Sequence, residues 1–214
     1  MSLLGWLLVI IYLSFHLATL TKIQDVYGDE PAVMQTSLTL TKTGQVGSYS
    51  GREVFSPGFA FLTNAFPYAI RPFVSHYYAL FIRLFGPSLA TARFASWLAG
   101  AIGIVLLYAL ALRVMGPVGG LASLFVLLSD PILGTSLHIC REELPLFAAQ
   151  ALVGVLWTLA FTKNSFWVAV LAGLGAGLAP GFHTNAILLT PALGAMALVM
   201  YESPKGWIRP ASGL

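Results

Sequence analysis

Apolar runs long enough to cross a bilayer, parted by polar islands, organise this chain. The first is Met1 to Leu20. A mixed stretch follows, 21–88, and then five more runs: Leu89 to Leu112, Val118 to Leu137, Leu144 to Phe161, Phe166 to Gly181 and Ala186 to Met200. A helix of about 20 mainly apolar residues spans the hydrocarbon core. The pattern therefore predicts an all-α, polytopic transmembrane bundle of about six spans. For the two short final runs, a kinked or re-entrant pair is the competing assignment. Met1 to Leu20 has no Lys or Arg ahead of its apolar core and only a weak cleavage site at Ala18. It reads as an uncleaved first span, not as a signal peptide.

The stretch 21–88 concentrates charges, Ser, Thr and prolines, and no clean apolar window fits inside it. It is too long for an ordinary connection and reads as a long outer loop carrying two short interfacial helices. One is Pro31 to Thr43, with Ala32, Met34, Leu38 and Leu40 among polar residues. The other is Val74 to Phe85, whose broad apolar face would set Tyr77 and Tyr78 at headgroup level. Between them, Gly44, Gly47, Gly51 and Pro57 mark loop. The chain is thus one transmembrane domain: first span 1–20, outer catalytic loop 21–88, remaining spans 89–200 and cytoplasmic tail 201–214. Arg113, Lys163, Lys205 and Arg209 fall on one side of this plan, which the positive-inside rule gives to the cytoplasm. The loop at Asp29, the island Arg141-Glu142-Glu143 and the hinge at His183 then face outward together.

Composition agrees that lipid is the main solvent. The 214 residues are 57% hydrophobic and 9% charged, against about 25% charged in soluble domains. The net charge of +3 comes without any basic run, so nucleic acid is not an expected partner. The single cysteine, Cys140, excludes an intrachain disulfide and a thiolate metal cluster.

Charge is scarce enough that each ionisable group near the membrane is a candidate for function. Asp29 and Glu30 sit where the first span leaves the bilayer, just before Pro31. Partial burial can raise a carboxylate toward general-base duty for an alcohol. Two acids at a helix start are equally the pattern of a capped N-terminus. Glu142 and Glu143 precede Leu144-Pro145 and carry the same two readings; joined to Asp29 they would suit Mg²⁺ or Mn²⁺ with a phosphate. In that case Asp29 and Glu143 are the candidate metal ligands. Arg141 would bind a phosphate or pair with an acid. Arg93, one turn into the second span, either snorkels to headgroups or offers its fork to a phosphate. His138 and His183 read as structural histidines, and Gly173, Gly175 and Gly177 as small residues for close helix packing.

Several of these landmarks resemble the GT-C superfamily of membrane glycosyltransferases. The nearest branch is the family-39 or Rgt-like proteins, related to protein O-mannosyltransferases and to the lipid A aminoarabinose transferase. The resemblance rests on Gly28-Asp29-Glu30-Pro31, on the stretch Tyr77-Tyr78-Ala79-Leu80-Phe81-Ile82-Arg83-Leu84-Phe85-Gly86, on Ala92-Arg93-Phe94-Ala95-Ser96, on Arg141-Glu142-Glu143 and on the glycines 173–177. It departs in a single Pro72 before Phe73-Val74-Ser75-His76, where relatives are proline-rich, and in Glu143, where many carry Asp. Relatives are about twice as long, so the match is to their N-terminal half, and the abrupt end at Leu214 fits a truncated or split product. The resemblance implies an inverting transferase. It would move a sugar from a polyprenyl-phosphate donor to a hydroxyl on a lipid, glycan or protein, at the outer face of a bacterial plasma membrane. It also implies Asp29 as the general base, Glu30 as its motif partner, Arg93 and Arg141 as phosphate ligands, and Glu142 or Glu143 as the second acidic motif. The rival classes are a transporter or lipid flippase with broken helices at Pro131 and Pro180, and a non-catalytic fragment of the transferase. Against the transporter, the charges gather at one rim and no internal repeat is visible.

Overall fold

The computed structural model describes residues 2–22, 30–44, 72–183 and 186, and every regular element among them is helical. In chain order they are α1 (Ser2–Ala18), α2 (Glu30–Thr43), α3 (Pro72–Phe85), α4 (Leu89–Leu128), α5 (Pro131–Ser136), α6 (Glu143–Lys163) and α7 (Phe166–Leu178). A 3₁₀ turn, Ala179–Gly181, closes α7.

α4 is two legs, not one rod. Gly116 has φ 72° and ψ −177°, a left-handed conformation that glycine alone enters without strain, and Pro117 follows it. A Cβ on Gly120 would lie 3.1 Å from the Leu112 Cα, whereas eight residues along a straight helix separate atoms by about 12 Å. The chain therefore doubles back at Gly116. Leg 89–115 runs away from Arg93, and leg 117–128 returns.

Small residues set how the helices lie against one another, as in other membrane bundles. Gly100 faces Leu137 and Leu144, Gly103 faces Phe147, and Gly154 faces Leu110. The constant offset of these pairs makes the first leg of α4 and α6 parallel neighbours. Gly5 lies under the Tyr108 ring, where a Cβ would collide with the hydroxyl. Trp97 donates its Nε1–H to the Leu13 carbonyl at 3.1 Å, and Tyr108 donates to the Ser2 carbonyl at 3.2 Å. So α1 runs antiparallel to α4. Gly175 packs on Val153, which places α7 antiparallel to α6 across the left-handed cap Asn164. Of the three glycines expected to pack closely in α7, Gly175 alone has a neighbour within contact distance of its missing Cβ; Gly173 and Gly177 face open space.

These directions bring two ends into being. Arg113, Lys163 and the start of α1 share one end. The starts of α2, α4 and α6, the end of α7 and the Leu137–Arg141 turn share the other. Large apolar side chains such as Leu3, Ile10, Val126, Phe166 and Trp167 point outward and are exposed, as lipid-facing positions are.

The expectation of about six spans is not confirmed. Among the described residues two helices, Leu89–Leu128 and Glu143–Lys163, are long and apolar enough to cross a membrane; Ser2–Ala18 and Phe166–Gly181 are apolar but shorter. The run Val118 to Leu137 is not one span. Leg 117–128 is only about 18 Å long. Asp130 then caps α5, its Oδ1 accepting from the Ile132 N–H at 2.8 Å with Pro131 at the first helical position. Ala186 to Met200 lies outside the described residues apart from Ala186, as do 23–29, 45–71 and 187–214. The headgroup placement of the tyrosines is corrected as well. Tyr78 is fully buried and Tyr77 half-buried, both turned onto α4, while Leu80, Leu84 and Phe85 take the exposed face of α3.

Candidate active site

The polar end of the bundle is built around a buried carboxylate. Glu30, the first residue of α2, is 0% exposed, and Arg93 is 2% exposed. They meet as a fork: Arg93 Nε donates to Glu30 Oε1 at 3.1 Å and Nη2 to Oε2 at 3.0 Å. Two parallel bonds of this kind are the strong form of a guanidinium–carboxylate contact. The Cys140 backbone N–H donates to the same Oε1 at 2.8 Å. Glu30 thus ties three pieces of chain together: α2, α4 and the turn before α6.

Arg93 neither snorkels nor opens to the surface. It lies one turn past Ser88, whose hydroxyl accepts from the Thr91 N–H at 3.0 Å and fixes the start of α4. Ser96, one turn further, completes the same buried face. Its Oγ stands 2.6 Å from the Tyr78 hydroxyl, which also donates to the Arg141 carbonyl at 2.6 Å. A carbonyl only accepts, so the Tyr78 proton goes to Arg141 and Ser96 donates to the phenolic oxygen. Tyr77 donates to the Ala95 carbonyl at 2.7 Å. Burial pushes the Tyr77 and Tyr78 hydroxyls above their ordinary pKa, and the Cys140 thiol rises through burial and then the Glu30 charge. These groups hold structure in their protonated forms.

Arg141 reaches a second acid, Glu143, at 2.7 Å, with the two side chains 34% and 40% exposed. Glu142 precedes α6 at its N-cap position, nearly buried and without a side-chain capping bond. His183 is close enough to Glu143 to act on it electrostatically. Asp29 lies outside the described residues, immediately before Glu30 in the chain. Of the six residues singled out in the sequence, the structure brings Glu30 and Arg93 together, joins Arg141 to Glu143, and links the pairs through the Cys140–Arg141 backbone.

No group of three or more His, Cys, Asp or Glu side chains gathers as a metal site among the described residues. Glu30 and Glu143 each face an arginine, so the described acids do not by themselves form a donor set for Mg²⁺ or Mn²⁺.

An apolar groove of about 550 Å³ opens beside this end, lined by Pro31, Met34, Gln35, Leu38, Ile82, Pro87 and Leu89. It starts next to Glu30 and runs between α2 and α3.

Sequence reasoning quoted Ser96 and Tyr78 within motifs but missed their roles, and it missed a histidine pair. His138 has a partner in another element: its Nε2 lies 2.8 Å from Nδ1 of His16, on α1. The Tyr12 ring lies against His16 at a tilt of 51°, and the Tyr12 hydroxyl and His138 Nδ1 are buried without a hydrogen-bond partner among the described residues. Ser96 had a usable signal, since it stands three residues after Arg93 and so on the same helix face. His16 had none.

Residues 67–210 match the family model described as dolichyl-phosphate-mannose-protein mannosyltransferase. No curated protein and no solved structure matches the chain.

Proposed function

The chain belongs to the dolichyl-phosphate-mannose-protein mannosyltransferase family, a family of membrane glycosyltransferases, and from that premise we propose the reaction and its parts. A sugar moves from a polyprenyl-phosphate donor to a hydroxyl acceptor at the end of the bundle that carries Glu30, Arg93 and Arg141. That end faces outward from a bacterial plasma membrane, with Arg113 and Lys163 toward the cytoplasm. The carrying observation is the adjacency of charged island and apolar groove at one end. A lipid-borne sugar phosphate needs both, an apolar track for the chain and cations for the phosphate.

Asp29 is the general base. It takes the proton of the acceptor hydroxyl as that oxygen attacks the anomeric carbon, while the bond to the phosphate oxygen breaks. One displacement inverts the anomeric centre. Arg141 receives the charge that builds on the departing phosphate. Its partner Glu143 is half-exposed, so the pair opens at little cost. Arg93 and Glu30 serve differently: as a buried pair they fix the segment that carries Asp29 relative to the turn that carries Arg141.

Sugar transfer by an Asp29→Asn variant tests the assignment. Loss of a general base costs about 10²- to 10⁴-fold in rate, whereas loss of a helix cap costs about 1 kcal/mol of stability. Transfer by a well-inserted Asp29→Asn protein at near wild-type rate would refute the role of Asp29.

A further inference from the structure

We propose that Tyr78 is a positioning residue for Arg141, holding the main chain of the phosphate-binding turn from below. The inference rests on the reading of Arg141 as a phosphate ligand and deepens it. Two peptide groups of the turn, on either side of the Cys140–Arg141 peptide, are held by side chains from other elements: the Cys140 N–H by Glu30 of α2, and the Arg141 carbonyl by Tyr78 of α3. The two clips act on opposite polar groups of the backbone, a donor and an acceptor. Together they hold the main chain on both sides of the Cys140–Arg141 peptide.

The Tyr78 clip is directional. Its hydroxyl has one proton, which the Arg141 carbonyl takes at 2.6 Å, and its oxygen receives the Ser96 proton at 2.6 Å. Ser96 stands on the α4 face that also carries Arg93. The relay Ser96–Tyr78–Arg141 therefore runs beside the Arg93–Glu30–Cys140 relay and ends one residue further along the same turn. A guanidinium on a long flexible stem binds a phosphate well only if its root is fixed, because the fork must align both donors at once. The side chain of Arg141 is partly exposed, and its aim depends on where its backbone is held. Tyr78, 0% exposed, is sealed from the surface and reaches Arg141 through its main chain, with Ser96 and the Cys140 side chain as its other partners.

The test uses the full chain in lipid nanodiscs and polyprenyl phosphate without a sugar as the probe, in a two-by-two set of Tyr78→Phe and Arg141→Met. Arg141→Met is expected to weaken binding about 10- to 100-fold. Tyr78→Phe, which keeps the ring and deletes only the clip, is expected to weaken it about 5-fold in the wild-type background and not at all in the Arg141→Met background. In sugar transfer, Tyr78→Phe should raise the donor KM by a similar factor and leave kcat within about 2-fold. Arg141→Met without effect on binding would remove the phosphate reading itself. Arg141→Met effective but Tyr78→Phe silent, or equally damaging in both backgrounds, would overturn the positioning role alone. Should Tyr78→Phe not insert stably, Ser96→Ala serves: it leaves the Tyr78 clip in place but unsupported. Its expected weakening is about 2-fold, again absent beside Arg141→Met, and an equal loss in both backgrounds overturns the proposal.

Discussion

Among the described residues, two ion pairs at the polar end of this bundle differ sharply. Glu30 and Arg93 are sealed in, 0% and 2% exposed, with a fork of two hydrogen bonds. Arg141 and Glu143 are 34% and 40% exposed and share one contact at 2.7 Å. A buried pair gains little net stability over an apolar substitute, yet removing one partner strands the other charge at a cost of about 3–5 kcal/mol. An exposed pair is worth about 0–1 kcal/mol. The first pair thus resists any exchange of partner. The second would lose far less by trading its carboxylate for a phosphate, the role proposed for Arg141. Burial, more than the identity of the residues, separates the two pairs.

The sharpest break in that comparison comes from Arg93→Met. It leaves the Glu30 charge buried beside the Cys140 N–H, and the expected loss is about 3–5 kcal/mol, read as a fall in melting temperature and in inserted yield. A variant as stable as wild type would show that the pair is no anchor. Glu143→Gln makes the opposite case. Its expected cost is within about 1 kcal/mol, measured by the same thermal melt, and a loss as large as that of Arg93→Met would erase the distinction. A smaller effect belongs to His138, which touches His16 and lies near Arg93. Burial, and then the Arg93 charge, lowers its pKa from the ordinary value of about 6.5. The folded state therefore holds the imidazole neutral and binds fewer protons than the unfolded chain. Its contribution is fully present above about pH 6.5 and is lost as pH falls below that toward the lowered folded value. The melting temperature should drop on acidification through this window, less so in His138→Gln. An identical pH slope in the two proteins would remove His138 as the cause.

The trunk was legible in the sequence and the polar end only partly so, for a physical reason. Apolar runs and small residues act locally, and α6 and α7 follow from them to within a few residues. The doubling of α4 was written in Gly116-Pro117, yet the return leg was read as a full span because its apolar run continues past Leu128. There Asp130 caps and Pro131 starts a new helix, a local signal outweighed by the length of the apolar run. Glu30 and Arg93 were both singled out, but in separate roles, Glu30 beside the catalytic Asp29 and Arg93 for a phosphate. Their pairing joins residues 63 apart in the chain, and the Cys140 contact joins residues 110 apart. No local pattern reports such partners. The tyrosines show the same limit: α3 was expected and found, but which face it buries was settled by α4, not by its own sequence.

Arg141→Met is the most direct measurement of this division. Its melting temperature and its kcat/KM for a polyprenyl-phosphate sugar should be determined on the same preparation, with rates taken per folded molecule. The expected result is a melting temperature within about 2 °C of wild type, equivalent to less than about 1 kcal/mol, and kcat/KM lower by about 10- to 100-fold. A melting temperature several degrees lower with unchanged kcat/KM would contradict it, making Arg141 the structural cation and leaving the donor phosphate to another group.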